Sequence, residues 1–182
     1  MVRIAAPAVF LLSVVSATFA SPLKRAVADV LEDIADISAR VTNLDNLITA
    51  YPLTGGTLLA ALNIHNSAVA LITSLQSATE ERIATGPVGV EDGTTILNAV
   101  AATEPTIQHA LVEIVVKRPA FQALPIGGLP ALILQDLNNL KTSTAAFSNS
   151  LIDNGPAELE ADGIALRDGI LAGFDTAIAA YS

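Results

Sequence analysis

Between residues 27 and 51 the apolar positions fall at Val27, Val30, Ile34, Ile37, Val41, Leu44, Ile48 and Tyr51. This alternation of three and four lays one continuous stripe along an α-helix. Leu31 and Leu47 widen the stripe, while Asp29, Glu32, Asp33, Asp36, Arg40, Asn43 and Asp45 fill the other faces. Such a helix has a single side to cover and needs apolar partners for it. Pro52 stops it and Thr54-Gly55-Gly56 makes the turn.

The rest of the chain supplies the partners. A second helix is predicted over 57–85, with Leu58, Leu62, His65, Val69, Ile72, Leu75 and Thr79 inside, Ile83 extending that stripe, and Asn66, Gln76, Glu80 and Glu81 outside. Gly86-Pro87-Val88-Gly89 ends it. A third helical stretch over 90–117 carries Ile96, Val100, Ile107, Leu111 and Ile114. Pro105 lies in its middle, which predicts a kink or a break restarting near Thr103 or Glu104. Pro119 closes the stretch. The connection over 120–128, with Phe121, Leu124, Pro125 and Ile126, is apolar for a loop and is expected to pack across one end of the molecule. The fourth helix, over 129–152, places Ile133, Leu137, Leu140, Thr144, Phe147 and Leu151 inside, with Asp136, Asn139 and Lys141 on the wet side. Asp153-Asn154-Gly155 ends it, and Pro156 suits the first turn of a fifth helix running to Tyr181 along Leu159, Leu166, Ile170, Phe174 and Ala177. The expected fold is all-α, a single-domain up-down bundle of about five amphipathic helices without disulfides.

The first residues belong to a different pattern. Arg3, the apolar run from Ile4 to Val15 and the small residues ending at Ala20 have the order of a secretory signal peptide, residues 1–20. The apolar run is too short for a membrane span, which needs roughly 20 such residues. Lys24-Arg25 then ends a short segment, 21–25, as a dibasic processing site, so the helical domain is expected to be 26–182. No GPI-anchor tail follows Tyr181, and no transmembrane anchoring is expected.

Losing the first 25 residues leaves 157, enough to bury a core without staples, and there is no Cys to form any. It also removes three of the 9 basic residues, leaving 6 against 18 acidic ones, a net charge of −12. Nucleic acid is therefore not an expected partner, and anionic membrane surfaces are disfavoured for the same reason. A positive mean hydropathy together with this acidity describes a protein kept soluble by charge while it hides or presents much aliphatic surface. Trp is absent and Tyr and Phe are few, so a stacked-ring carbohydrate platform has little to be built from. No Asn-x-Ser/Thr acceptor for N-glycosylation occurs.

Candidate chemistry is sparse. Gly-x-Ser-x-Gly, a Cys nucleophile and His-Glu-x-x-His are all missing, so neither a catalytic site, a metal site nor a cofactor is expected. His65 falls on the inner stripe of the second helix. It reads either as a core histidine bonded to a neighbour or as a polar handle in an aliphatic interior, able to meet the carboxylate or hydroxyl of an amphipathic ligand. Thr79 and Thr144 invite the same two readings, the plain one being a hydroxyl bonded to its own helix backbone. Gly163, Gly169 and Gly173 in the fifth helix serve either close helix packing or space for a bound chain.

The order of Lys24-Arg25, Ile34-Ala35-Asp36-Ile37 and Leu44-Asp45 resembles the fungal hydrophobic surface-binding protein A family, which includes the ligand-binding domains of cell wall galactomannoproteins. Lys117-Arg118-Pro119-Ala120-Phe121 is similar to its basic turn after the third helix. Asp136-Leu137-Asn138-Asn139-Leu140-Lys141 and Phe174-Asp175-Thr176-Ala177-Ile178-Ala179-Ala180-Tyr181 are similar to its last two helices. The resemblance implies a secreted, extracellular helical protein that adsorbs to hydrophobic solid surfaces and recruits a cutinase-like esterase to them; with one domain and no Ser/Thr-rich stalk the chain looks like the free secreted type, with cell-wall association as the alternative. Related domains hold long-chain fatty acids in a central cavity, and the family implies no catalytic residues. Two functions follow: a non-enzymatic surface binder that exposes its aliphatic seam, or a carrier enclosing an acyl chain. An enzyme and a purely structural wall protein fit the residues less well. The cavity or seam is expected to draw on Leu44, Leu62, His65, Val69, Ile72, Leu111, Ile114, Leu137, Phe147, Leu166 and Phe174, with His65 and Thr144 as polar handles.

Overall fold

The three-four spacing along almost the whole chain is realised as helix. A computed structural model describes residues 22–125 and 128–182, with side chains from residue 27 onward. The signal peptide ending at Ala20 and the loop residues Ile126 and Gly127 lie outside the described residues. Lys24 and Arg25 fall in the first turn of the first helix, but their side chains lie outside the description. The elements are α1 (Pro22–Ala50), α2 (Leu58–Thr85), α3 (Val90–Ala101), α4 (Glu104–Val116), α5 (Arg118–Gln122), α6 (Leu129–Asp153), a 3₁₀ turn (Ala157–Leu159) and α7 (Glu160–Tyr181). No strand occurs among the described residues.

Prolines set the breaks, in places not where the spacing alone puts them. Pro105 stands in the first turn of α4, which restarts at Glu104 as expected, so of the two expected outcomes the third stretch shows the break. Pro119 does not end a helix but opens the short α5. Pro156 is extended and precedes the 3₁₀ turn that leads into α7. The Thr57 hydroxyl caps α2 by accepting from the Ala60 N–H at 3.2 Å.

Packing closes the long helices into a ring in the order α1, α2, α6, α7, α4 and back to α1. Direction alternates along the chain only when α3 and α4 are taken together, so ring neighbours are not all antiparallel: Asp45 and Thr49 of α1 meet His109 and Lys117 of the α4 stretch in the same order, a parallel pair. Asn43 bonds Ser67 at 3.0 Å and Asp36 bonds Ser74 at 2.6 Å, so α1 and α2 run antiparallel. Arg82 near the end of α2 reaches Asn154 after the end of α6, and Tyr181 near the end of α7 reaches Ile114 near the end of α4, so these neighbours run parallel. The seven stripe residues within α1 and Tyr51 just after it are all buried.

The inner face of α2 differs from the expectation. It consists of Ala61, Ile64, Ala68, Leu71, Leu75, Ala78 and Arg82, one residue off the stripe marked by the larger side chains. Leu62 and Val69 instead stand outside, 36% and 44% exposed. They share their side of the helix with Thr73, Gln76 and Glu80, so burying them would strip water from an amide and a carboxylate with no partners. Asp136 is corrected in the opposite sense: it is buried, not on the wet side, because α6 turns it towards His65 of α2.

Candidate functional site

A ring of five helices encloses more space than its inward side chains fill, particularly where α2 contributes alanines. The result is a central cavity of about 100 Å³, walled by all the long helices. One end is shut by α5, whose fully buried Phe121 stacks on Tyr51 with ring centroids 4.3 Å apart. This agrees with the expectation that the apolar stretch after Pro119 crosses one end of the molecule.

Of the expected positions, the fold brings Leu44, His65, Leu111, Ile114, Leu137, Thr144, Phe147 and Phe174 together on the cavity wall. Ile72 is half-buried and packs on the core without reaching the wall. Leu166 lines a second, smaller cavity, and Leu62 and Val69 reach neither. Apart from Leu44, the sequence reading misses the α1 stripe as wall, namely Ile34, Ile37, Val41 and Ile48, and on α2 it misses Ala61, Ile64, Ala68, Leu71 and Leu75. A signal for the latter exists: 61, 64, 68, 71, 75, 78 and 82 also alternate three and four.

The wall is almost wholly apolar, with a few placed polar groups. His65 Nδ1 and Asp136 Oδ2 are 2.8 Å apart. Burial pushes the Asp136 carboxyl above its usual range, against the downward pull of its bond to His65. Thr103, in the turn between α3 and α4, donates to the Ala99 carbonyl of α3 at 3.3 Å. Thr144 and Ser148 complete the polar wall. Thr79 is off the wall and donates to the Leu75 carbonyl at 2.7 Å, which is the plain reading of a helix threonine.

The glycines of α7 serve packing. A Cβ at Gly163 would lie 3.1 Å from Ile152 of α6, one at Gly169 3.3 Å from Glu104, and one at Gly173 3.1 Å from Leu111 of α4. Gln108 adds a bond from α4 to the Gly169 carbonyl at 3.0 Å. None of the three faces the central cavity, but Gly163 also lines the second, smaller one.

The second cavity, of about 50 Å³, lies at the opposite end from α5, between the end of α2 and the beginnings of α3 and α7. It shares Val100, Ser148 and Ile170 with the central one. Arg82 is on its wall and only 1% exposed. Among the described residues no cluster of three His, Asp or Glu is arranged to hold a metal ion.

A family model described as hydrophobic surface binding protein A matches residues 27–153. No curated protein matches the chain significantly. Among solved structures, Afmp4p in complex with palmitic acid is similar at 29% identity and a TM-score of 0.79, over 86% of this chain and 99% of that one. Ligand binding domain 1 of the Penicillium marneffei MP1 protein, complexed with arachidonic acids, is similar at 20% identity and a TM-score of 0.76, over 88% of this chain and 99% of that one. Domain 2 of the same protein, complexed with multiple arachidonic acids, is similar at 18% identity and a TM-score of 0.74, over 87% of this chain and 96% of that one.

Proposed function

Because the chain belongs to the hydrophobic surface binding protein A family, we propose that it is a non-enzymatic lipid binder that encloses the acyl chain of a long-chain fatty acid inside the helix ring. The observation that carries this reading is the central cavity itself, apolar over nearly its whole wall and about 100 Å³ in volume. By that measure it holds on the order of seven to ten water-sized groups. Palmitic acid has sixteen carbons, so a full chain requires the ring to swell or to extend into the second cavity. No disulfide opposes such an adjustment. The similar Afmp4p structure carries palmitic acid, which supports the ligand class. His65 and Thr144 are assigned as polar contacts along the chain's path. Native mass spectra of the purified protein with and without palmitate test this: one stoichiometric adduct is expected, and its absence at saturating palmitate retires the enclosed site.

A second reading has its own observation. Leu59 is 71% exposed, and with Leu62 and Val69 it forms an apolar strip along the outside of α2. By length and composition α2 could cross a membrane; within the bundle it is instead a helix with apolar residues on both sides. Adsorption to hydrophobic solids is assigned to this strip, and depletion of the protein from solution by polyester particles tests it. The family resemblance extends the proposal to an extracellular, wall-associated protein freed of residues 1–25, and to recruitment of a cutinase-like esterase. The N-terminal mass of the secreted chain, expected to begin at Ala26, and esterase retention on coated particles test those two steps.

A further inference from the structure

Acidic residues outnumber basic ones two to one, and most of the cations are accordingly paired. Arg40 meets Asp36, Lys141 meets Asp175, Arg167 meets Asp168, and Lys117 stands 3.7 Å from Glu113. Arg82 is different. It is the most deeply buried cation among the described residues, and none of their carboxylates lies within ion-pair distance of it. Its Nη1 donates to the Gly86 carbonyl and its Nη2 to the Asn154 carbonyl, each at 2.6 Å. Its Nε is buried with no partner. A guanidinium has five N–H donors, so three remain for something else. A buried charge surrounded by neutral groups is costly unless an anion or further hydrogen bonds complete it.

The place of that charge suggests the anion. Arg82 lines the second cavity, which abuts the central one at Val100, Ser148 and Ile170. From the second cavity we infer a headgroup site: the carboxylate of the bound fatty acid sits against the Arg82 guanidinium, and its chain passes by Ser148 into the central cavity. This rests on the reading that the ring encloses an acyl chain. The helix rise supplies the length, because Arg82 lies 21 residues, about 32 Å, beyond Ala61 at the far end of the wall. His65 is the poorer seat: it already faces the Asp136 carboxylate, so an incoming acid would meet like charge there. The other charged groups on the second cavity are Glu160, which is exposed, and Arg167, which is engaged by Asp168 and by Asn149 at 2.9 Å. The two carbonyl bonds hold the Arg82 fork in place before any ligand arrives, so little ordering is left to be done on binding.

The test compares palmitate with hexadecanol, which has the same chain and no charge, by calorimetry at pH 8. Palmitate should bind about 10- to 100-fold more tightly, the range for a charge-assisted pair. In Arg82→Gln the preference should collapse to within about twofold while hexadecanol affinity stays put. In the unaltered protein the Arg82 Nε–Hε resonance should move on adding palmitate and stay still with hexadecanol, which decides the matter even when Arg82→Gln does not fold. A folded Arg82→Gln that keeps the preference, or an Nε–Hε signal indifferent to palmitate, overturns the headgroup site while hexadecanol binding leaves the enclosed chain standing. Failure of both ligands to bind overturns the underlying reading, and the headgroup site with it.

Discussion

Ala68 is the position where filling the cavity should be separable from unfolding the protein. It is buried on the inner face of α2 and on the cavity wall. Ala68→Leu adds three carbons on a side where about seven to ten water-sized groups of space exist, so it occupies roughly a third of the void. Burying them returns about 0.8 kcal/mol per carbon, or about 2.4 kcal/mol, against a repacking cost of about 1–3 kcal/mol. The two nearly cancel, and the melting temperature should change by no more than about 4 °C. An acyl chain, by contrast, loses the space of about three methylenes. Its affinity should fall by about 2.4 kcal/mol, close to 60-fold in Kd.

Calorimetric titration with palmitate, paired with thermal melts of the ligand-free variant, reads both quantities. Palmitate should also raise the melting temperature of the unaltered protein and barely move that of the variant, since a ligand stabilises only the state that binds it. A variant that melts normally and binds palmitate within twofold of the unaltered protein would refute the reasoning. The chain would then lie somewhere other than the ring interior.

The outer face of α2 gives the complementary result: Leu59→Gln/Leu62→Gln/Val69→Gln should cut depletion by polyester particles severalfold while the palmitate adduct in native mass spectra is kept, and unchanged depletion would move adsorption elsewhere. Asp33, half-buried on α1, has its carboxyl pushed from an ordinary 3.8 to about 6, first by burial and then by Glu81 and the neighbouring acids Asp36, Glu32 and Asp29. The folded state therefore holds this proton more tightly than the unfolded chain, so stability is fullest below about 4 and falls as pH rises to about 6. Asp33→Asn should remove that decline and stabilise the protein at pH 7 by on the order of 1 kcal/mol after solvent screening, read by urea unfolding at pH 4, 5 and 7; a gain equal at all three would reject the assignment. At Gly56 a Cβ would run into the Tyr51 ring, so Gly56→Ala should cost about 1–3 kcal/mol and lower the melting temperature by several degrees, whereas an unchanged melt would mean that the Tyr51–Phe121 stack shifts freely.

How much of this the residues disclose depends on how sharply polar and apolar positions divide. On α1 the division is clean, and every stripe position from Val27 to Tyr51 is where the spacing puts it. On α2 it is not. Two three-four stripes run side by side, and large aliphatic side chains draw attention to the outer one, while the polar positions Thr73, Gln76 and Glu80 decide which is wet. The same rule explains Arg82, which continues the alanine-rich stripe and is buried for that reason. Asp136 is hidden from sequence reading because its position makes sense only through His65, 71 residues earlier. A cavity is illegible for a further reason. Its volume is the difference between the space the backbone encloses and the space the side chains fill, and the ring order that sets the first is a tertiary property.

The composition of α2 departs from the usual arrangement of an amphipathic helix, and that departure links the two proposed activities. Large apolar groups normally face inward and small or polar ones outward. Here Ala61, Ala68 and Ala78 alternate with Ile64, Leu71 and Leu75 on the inner face, while Leu59, Leu62, Val69 and Ile83 are exposed. Each alanine inside withholds volume from the core, which loses stability by the contacts it forgoes but leaves room that a ligand's methylenes can fill. Each aliphatic residue outside costs solubility, which the surplus of acidic residues offsets. An acyl chain entering the ring restores the missing core, and an apolar solid meeting α2 covers the exposed strip. The two events use opposite faces of one helix, so neither has to open the bundle for the other. It follows that palmitate-loaded protein should adsorb to polyester as well as the empty form does, whereas an interior seam exposed by opening would make the two compete.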